Sequence, residues 1–297
     1  MDNMRYFDVN DLQKLYIPSA LSHKGQNGKM LLIGGSHLFH AASFWSLEIA
    51  SRIVDMVFYA SIPDNNAIVQ KTKEQWRNGI VIPREKIEDY IEEAECILIG
   101  PGMVRSETIE KHKSFSKLFD ITSLADEAEQ TYYLTKFLLE KYPDKKWVID
   151  AGALQMMDKE WIVKLHGNIV LTPHIQEFER LFHLDPTAMN ASEMAQKYNC
   201  IILLKRNIDT VASPQETILI EGGNAGMTKG GTGDVLAGFV AALGCKNDLL
   251  LAAKSASYFN KKAGESLYKK VGMYFNASDL AQEIPLVMGQ FTHQDVL

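Results

Sequence analysis

The stretch WVIDAGALQMMDKEWIVKLHGNIVLTPHIQEFERLF, residues 147–182, contains two short apolar runs, each followed by a helical pattern. Trp147–Ile149 and Asn168–Leu171 are continuous runs rich in Val, Ile and Leu, without the alternation of a half-exposed strand. Trp161–Leu165 and Gln176–Phe182 have helical spacing. Because strands that are apolar throughout are buried on both faces, this stretch predicts parallel strands between two layers of helices.

The same pattern recurs along the chain. Further strands are predicted at Lys29–Ile33, Met56–Tyr59, Cys96–Ile99 and Cys200–Leu204, and further helices at Ala41–Ile53, Glu129–Lys141, Glu193–Tyr198 and about 235–243, 249–268 and 277–287. Asp209–Ala212 and Thr217–Ile220 predict a hairpin at an antiparallel edge of the sheet. This order of elements favours a doubly wound α/β fold, and we expect residues 1–297 to form one domain.

Composition narrows the possible functions. The chain has 31 Lys and Arg against 37 Asp and Glu, a net charge of -6, so we expect no general attraction to nucleic acid or to an anionic membrane. The three cysteines lie far apart and inside or beside apolar runs, which predicts buried, reduced thiols. No signal peptide or long apolar span is evident, and a cytoplasmic protein is expected. His37 and His40 lack further ligands nearby, so no metal site made by the protein alone is predicted.

The strongest chemical signal is Gly230-Gly231-Thr232-Gly233-Asp234, directly before an apolar helix. Glycines allow the backbone to turn its N–H groups toward one point, and the helix start adds unpaired N–H groups and a positive dipole. Gly230, Gly231, Thr232 and Gly233 therefore predict an anion cradle. A carboxylate would repel a phosphate, so Asp234 is better explained as a base that takes a proton from a hydroxyl.

Two common nucleotide motifs do not fit. A P-loop needs Gly-x4-Gly-Lys-Ser/Thr, but the hydroxyl position after Gly28-Lys29 is Met30. A dinucleotide fingerprint starting at Gly231 would need glycine where Leu236 stands. A plain helix-entry turn is the remaining alternative, and three glycines within four residues are more than such a turn needs.

Other conspicuous residues follow the predicted strands. They are Gly34-Gly35-Ser36, Gly100-Pro101-Gly102, Asp150 and Thr172-Pro173-His174. Because ligands of open α/β folds bind at the carboxyl ends of strands, we expect these segments to line one cleft. Glu177 fits a helix-capping role. His174 does not, because a cap does not call for an imidazole.

Together the motifs resemble the ADP/ATP-dependent NAD(P)H-hydrate dehydratases of the ribokinase-like superfamily. The matching segments are Lys24-Gly25, Gly34-Gly35-Ser36, Gly100-Pro101-Gly102, Asp150-Ala151, Thr172-Pro173-His174-x-x-Glu177, Lys205 and 230–238. The resemblance spans roughly residues 12–285. It implies a three-layer fold with a central, mostly parallel sheet flanked by helices, and no epimerase domain on this chain.

The resemblance also implies a function. Such an enzyme, a hydro-lyase, repairs hydrated NADH or NADPH: ADP or ATP, with Mg²⁺, phosphorylates the added hydroxyl, and phosphate then leaves. Asp234 would activate that hydroxyl, and the glycine turn would stabilise the transferring phosphoryl group. The implied substrate-binding residues are Ala42, Gly102 and His174, and the implied nucleotide-binding residues are Lys205, Arg206, Asn207, Ile208, Asp209 and Gly233. A homo-oligomer is expected.

Some positions depart from the family pattern. Arg206 and Lys229 add bulk and charge near the expected nucleotide, and Gly152 replaces a carboxylate in the cleft. Two other functions therefore stay open: a ribokinase-like small-molecule kinase using the same base, and a nucleotide-binding protein without turnover.

Overall fold

The computed structural model describes residues 4–292, and their strands form one ten-stranded sheet. The first three residues, part of the segment assessed for a signal peptide, and the last five lie outside the described residues. The strands are β1 Met4–Tyr6, β2 Lys29–Ile33, β3 Met56–Ala60, β4 Ile80–Ile82, β5 Cys96–Ile99, β6 Lys146–Ile149, β7 Ile169–Leu171, β8 Ile201–Leu204, β9 Asp209–Ala212 and β10 Thr217–Ile220. Their spatial order is β1-β10-β9-β8-β7-β6-β5-β2-β3-β4.

Eleven α-helices connect and cover these strands in the described part of the chain. They are α1 His40–Ala50, α2 Pro63–Thr72, α3 Ile87–Ile91, α4 Leu118–Thr122, α5 Glu127–Lys141, α6 Ala151–Met156, α7 Ile175–Phe182, α8 Ala188–Tyr198, α9 Thr232–Gly244, α10 Leu249–Val271 and α11 Ala277–Thr292. None of the helices within residues 4–292 is long and apolar enough to cross a membrane.

The strands are buried on both faces, as their continuous apolar runs predict. In β2, Met30 and Leu32 join one apolar core, and Leu31 and Ile33 join the other. The first core is completed by α1, α2 and α9–α11, and the second by α3–α8. The predicted three-layer α/β architecture is confirmed. That all 297 residues form one domain remains a prediction.

The sheet is parallel except at β9. β9 runs antiparallel to both β8 and β10, so the predicted hairpin is confirmed. Its position at the edge was wrong, because β10 pairs outside it and β1 adds a further parallel strand to β10. The other differences are local. α1 ends at Ala50, before a turn, and the segment expected to be a helix at Trp161–Leu165 is a 3-10 helix over Lys159–Leu165.

The carboxyl ends of the central strands meet at one edge of the sheet, where their turns are hydrogen-bonded to each other. The Gly35 N–H donates to the carbonyl of Pro101 at 2.7 Å, and the Lys205 N–H donates to the carbonyl of Pro173 at 2.9 Å. The turns after β2, β5, β6, β7 and β8 therefore form one continuous rim, as expected for a ligand cleft of this fold.

Candidate active site

The glycine turn before α9 depends on glycine at one position in particular. Gly231 has φ 93°, and a Cβ there would lie 2.3 Å from the ring of Trp45. Gly230 is different, since a Cβ there would meet nothing within 4 Å. Gly231 therefore lets the chain turn sharply against α1 and enter α9.

Thr232 closes this turn instead of facing a ligand. Its hydroxyl donates to the carbonyls of Met227 (2.7 Å) and Lys229 (2.9 Å), and its N–H also points to Lys229 O at 3.3 Å. The N–H groups of Gly231 and Gly233 make no hydrogen bond with any residue in the range 4–292. Three of the four predicted cradle donors, those of Gly230, Gly231 and Gly233, thus have no partner within residues 4–292, whereas that of Thr232 is already used.

Asp234 lies in the first turn of α9 and is half-buried. Burial, reinforced by the negative charges of Asp150 and Glu177 and opposed by Lys205, raises the pKa of its carboxyl to about 7. A carboxylate with this pKa can both accept and return a proton near neutral pH. The backbone carbonyl of Asp234 accepts a hydrogen bond from the Ser46 hydroxyl of α1 at 2.8 Å.

Lys205 is the cation of this site. Its ammonium donates to Asp150 Oδ1 at 2.9 Å and lies 3.9 Å from Glu177 Oε2. Burial alone would lower the pKa of Lys205, but the charges of Asp150, Glu177 and Asp234 raise it above its ordinary value. The Thr172 hydroxyl donates to the same Asp150 oxygen at 2.7 Å. This network keeps a permanent positive charge beside the glycine turn, since a Cβ on Gly233 would lie 3.5 Å from Lys205 Nζ.

His174 has a structural role that the sequence interpretation denied. Its ring Nδ1 accepts the N–H groups of Gln176 (3.1 Å) and Glu177 (3.3 Å), while Glu177 Oε2 accepts the His174 N–H at 2.9 Å. The imidazole is therefore itself the N-cap of α7, in a reciprocal capping box. Because Nδ1 accepts, the ring proton is on Nε2, which lies 3.5 Å from Glu177 Oε1 on a side chain that is partly exposed to solvent.

The two other residues expected at the substrate lie side by side. A Cβ on Gly102 would be 3.1 Å from the Ala42 Cβ and 2.6 Å from the carbonyl of Phe39. Gly102, with φ 71°, therefore fits against the start of α1, one helical turn before Ser46. Through Ser46 this pair is joined to the backbone of Asp234.

The residues expected at the nucleotide line a cavity of about 710 Å³. Its wall includes His174, Lys205, Arg206, Asn207, Asp209, Gly222, Gly223, Asn224, Ala225, Met227, Thr228, Thr232, Gly233, Leu236, Asn260 and Lys261. Ile208 is exposed and is not among these residues. The cavity therefore contains four of the five predicted residues of the turn 205–209, together with Gly233.

Within this turn, Asp209 holds the backbone. Its carboxylate accepts the Arg206 N–H at 2.8 Å and the Ser257 hydroxyl at 2.8 Å, and it lies 3.4 Å from the Lys261 ammonium. Lys261 also donates to the carbonyls of Arg206, Asn207 and Gly222 at 2.9–3.3 Å. Asp209 is thus occupied with positioning the turn, and Lys261 ties two walls of the cavity together.

Comparison with known proteins agrees with this geometry. Residues 30–286 match the family described as NAD(P)H-hydrate dehydratase. The ADP-dependent (S)-NAD(P)H-hydrate dehydratase of Nitrosopumilus maritimus (strain SCM1) is 32% identical over 294 residues, covering 94% of this chain and 96% of the relative. The chain belongs to the NAD(P)H-hydrate dehydratase family. It spans about half (52%) of a longer relative, the bifunctional NAD(P)H-hydrate repair enzyme Nnr of Methanocaldococcus jannaschii.

Solved structures share the fold of this dehydratase-family chain. A ribokinase-like superfamily protein from Enterococcus faecalis V583 superposes with a TM-score of 0.79 at 23% identity, covering 98% of this chain and 97% of that chain. The ADP/ATP-dependent NAD(P)H-hydrate dehydratase from Bacillus subtilis, co-crystallised with ATP and Mg²⁺, gives 0.76 at 22% identity, with 98% and 99% covered. The predicted ribokinase-like fold is confirmed.

The departures from the dehydratase-family pattern have local explanations. A Cβ at Gly152 would lie 2.1 Å from the carbonyl of Met103, so no side chain of any kind fits there. The Lys229 ammonium donates to the carbonyls of Met273 and Phe275, and Lys229 is not among the residues that line the cavity. Of the three departures, only Arg206 adds a charge to the cavity wall.

Sequence reasoning missed Ser46, Lys261 and Asn260. Asn260 and Lys261 are buried polar residues of α10, and Asn260 falls three and four positions from the buried Ala263 and Ala256. A polar residue at the core-facing spacing of an apolar helix was the signal that could have identified Asn260. Ser46 carries no such signal, because small residues are ordinary in packed helices.

Proposed function

We propose that this chain catalyses the nucleotide-dependent dehydration of hydrated NADH or NADPH, which restores the reduced dinucleotide. Membership of the NAD(P)H-hydrate dehydratase family supports the substrate class. The observation that carries the proposal is Asp234, a carboxyl with pKa about 7 that directly follows the glycine turn and interacts with the charge of Lys205. A site that only bound a nucleotide would gain nothing from this base.

In the proposed first step, Asp234 removes the proton from the hydroxyl on the hydrated ring. The hydroxyl oxygen then attacks the terminal phosphorus of the nucleotide, and the bond from that phosphorus to the bridging oxygen breaks. The free N–H groups of Gly231 and Gly233 and the charge of Lys205 would stabilise the transferring phosphoryl group. In the second step the carbon–oxygen bond to phosphate breaks, a proton leaves the neighbouring ring carbon, and the double bond returns.

The proposed arrangement of ligands follows the cavity walls. The adenine nucleotide would lie against the turn 205–209, and the hydrated dinucleotide against Ala42, Gly102 and the partly exposed ring of His174. Mg²⁺ is expected to arrive on the nucleotide phosphates, because it keeps most of its waters and needs only one or two carboxylates. Within residues 4–292 no group of three or more His, Cys, Asp or Glu is placed to hold a metal ion.

Spectrophotometry tests the proposal directly. NADH hydrate and NADPH hydrate are each incubated with the protein, Mg²⁺ and either ADP or ATP, and the reduced-nicotinamide absorbance is followed. We expect absorbance to recover and one phosphate to be released per dinucleotide restored. A stable phosphorylated product without recovery would instead indicate a small-molecule kinase, and no recovery with any pairing would refute the dehydratase assignment. The cytoplasmic location and the homo-oligomeric assembly remain predictions.

A further inference from the structure

The Asn260 side chain in the wall of the 710 Å³ cavity has no hydrogen-bond partner. Asn260 is 4% exposed, and its Oδ1 is fully buried without a donor. Its Nδ2 likewise makes no hydrogen bond with any residue between 4 and 292. A primary amide carries two donor positions and an acceptor, so the whole hydrogen-bonding capacity of this group is unused.

An unpaired buried amide such as that of Asn260 destabilises the folded state. A buried polar group left unpaired costs about 1–3 kcal/mol, and a leucine of similar size at a core-facing position of α10 would avoid this cost. Other buried polar groups around the cavity are paired: Asp209 binds Ser257, and Lys261 binds three carbonyls. Asn260 is therefore the exception in a wall that otherwise satisfies its buried polar groups.

The cavity already has a part suited to phosphate, and Asn260 belongs to a different element. Lys205 and Gly233 supply a cation and a free N–H at the start of α9, whereas Asn260 projects from α10. A neutral amide does not select phosphate. It matches a planar group that has a donor and an acceptor side by side.

We propose that the Asn260 amide binds the base of the nucleotide in this cavity and selects adenine over guanine. Adenine has the N6 amino donor next to the N7 acceptor, and an amide pairs with both at once. At the same edge guanine has two acceptors, O6 and N7, which leave Oδ1 without a donor. The inference rests on the proposed function only in requiring that a nucleotide occupies this cavity.

Calorimetric binding of ADP, GDP and inorganic pyrophosphate tests this assignment without any turnover. The wild-type chain is expected to bind ADP about 10-fold or more tightly than GDP. Asn260→Leu should weaken ADP by about 10- to 100-fold and bring the ADP-to-GDP ratio near one, while pyrophosphate, which has no base, binds unchanged. If the leucine variant does not fold, the same three affinities can be measured with Asn260→Ala. Asn190→Leu, on α8 away from this cavity, should leave all three affinities unchanged.

The melting temperature without ligand separates a binding role of Asn260 from a structural one. If Asn260 stabilised the fold, replacing it would lower the melting temperature. Because leucine removes an unpaired amide, Asn260→Leu should unfold at the same temperature as wild type or higher. The inference is overturned if the variants keep the ADP preference, or if pyrophosphate weakens in proportion to ADP. Failure of the dehydration assay with a retained, Asn260-dependent ADP preference would reject the proposed function and leave this inference standing.

Discussion

Replacing Asp234 by asparagine is expected to abolish most turnover and at the same time to stabilise the fold above neutral pH. The carboxyl has a pKa of about 7 in the folded chain against an ordinary value of 3.8. Between these values the folded state keeps a proton that the unfolded state has released, so stability falls as the pH rises through this window. Above pH 7 the loss of stability caused by the buried carboxyl has reached its full size.

The size of the effect follows from the same numbers. The difference is about 3 pH units, and each corresponds to about 1.4 kcal/mol, which sets an upper limit of roughly 4 kcal/mol. Partial exposure of the carboxyl and the neighbouring Lys205 reduce this, and we expect about 1–3 kcal/mol at pH 8. Asparagine keeps the size of the side chain but carries no charge at any pH, so the variant escapes this cost.

Urea unfolding of wild type and Asp234→Asn at several pH values between 4 and 8 measures the difference. The free energy of unfolding of Asp234→Asn should increase relative to that of wild type from pH 4 to 7, and the difference should then stay constant. The control Asp144→Asn, at an exposed site, should have the pH dependence of wild type throughout. Turnover should fall by about 10²–10⁴ in Asp234→Asn, and wild-type kcat/KM should rise with pH to half its maximum near pH 7. A stability difference that does not change with pH, or an activity midpoint near pH 4, would refute this account of the base.

Three further variants, one of them with a matched control, test the surroundings of the base. Gly231→Ala should lower the melting temperature strongly, because its φ of 93° and the Trp45 ring leave no room for a Cβ, while Gly230→Ala should unfold within a degree or two of wild type in the same scan. Lys205→Met should destabilise the chain by about 3–5 kcal/mol in urea titrations, because it leaves Asp150 buried without its cation. Arg206→Ala should keep wild-type stability within about 0.5 kcal/mol but weaken ADP binding and reduce its salt dependence, as measured by calorimetry at two ionic strengths.

The central strands could be predicted because strands that are buried on both faces have continuous apolar sequences. β2 and β5 were predicted with the bounds that the structure has, and both are continuous apolar runs. β1 and β4 were missed. Each has only three residues, and β1 is exposed along its length, so neither carries a periodic signal above that of a loop.

Motif reasoning predicted which residues meet but not always how. The family resemblance assigned Ala42 and Gly102 to the substrate and Lys205 and Gly233 to the nucleotide, and the structure brings the members of each pair together. Motif reasoning misread His174, because a capping role is usually assigned to hydroxyl, carboxylate or amide side chains. An imidazole whose Nδ1 faces the start of the helix accepts hydrogen bonds from the same N–H groups. The amino-acid sequence does not indicate which ring nitrogen faces the helix.

Departures from a family pattern are difficult to interpret without coordinates. The glycine at 152 reads in the sequence as a lost carboxylate, whereas in the fold it allows the turn after β5 to contact α6 at Met103. Lys229 reads as a new charge at the nucleotide, yet its ammonium is held by two carbonyls near α11. In both cases the deciding contact joins segments more than 40 residues apart, which no local pattern records.

The pKa of Asp234 is the property least accessible to sequence, because it results first from burial and then from three neighbouring charges held in a fixed arrangement. Lys205 alone would keep the aspartate ionised and therefore a weak base. Burial of the carboxyl opposes this most, and Asp150 and Glu177 add to it, since both lie against the same ammonium and both repel the charge of Asp234. Glu177 can do so only because the capping box with His174 fixes its carboxylate at the start of α7. The imidazole cap, which looked unnecessary in the sequence, is thus part of what sets the base near neutral pH.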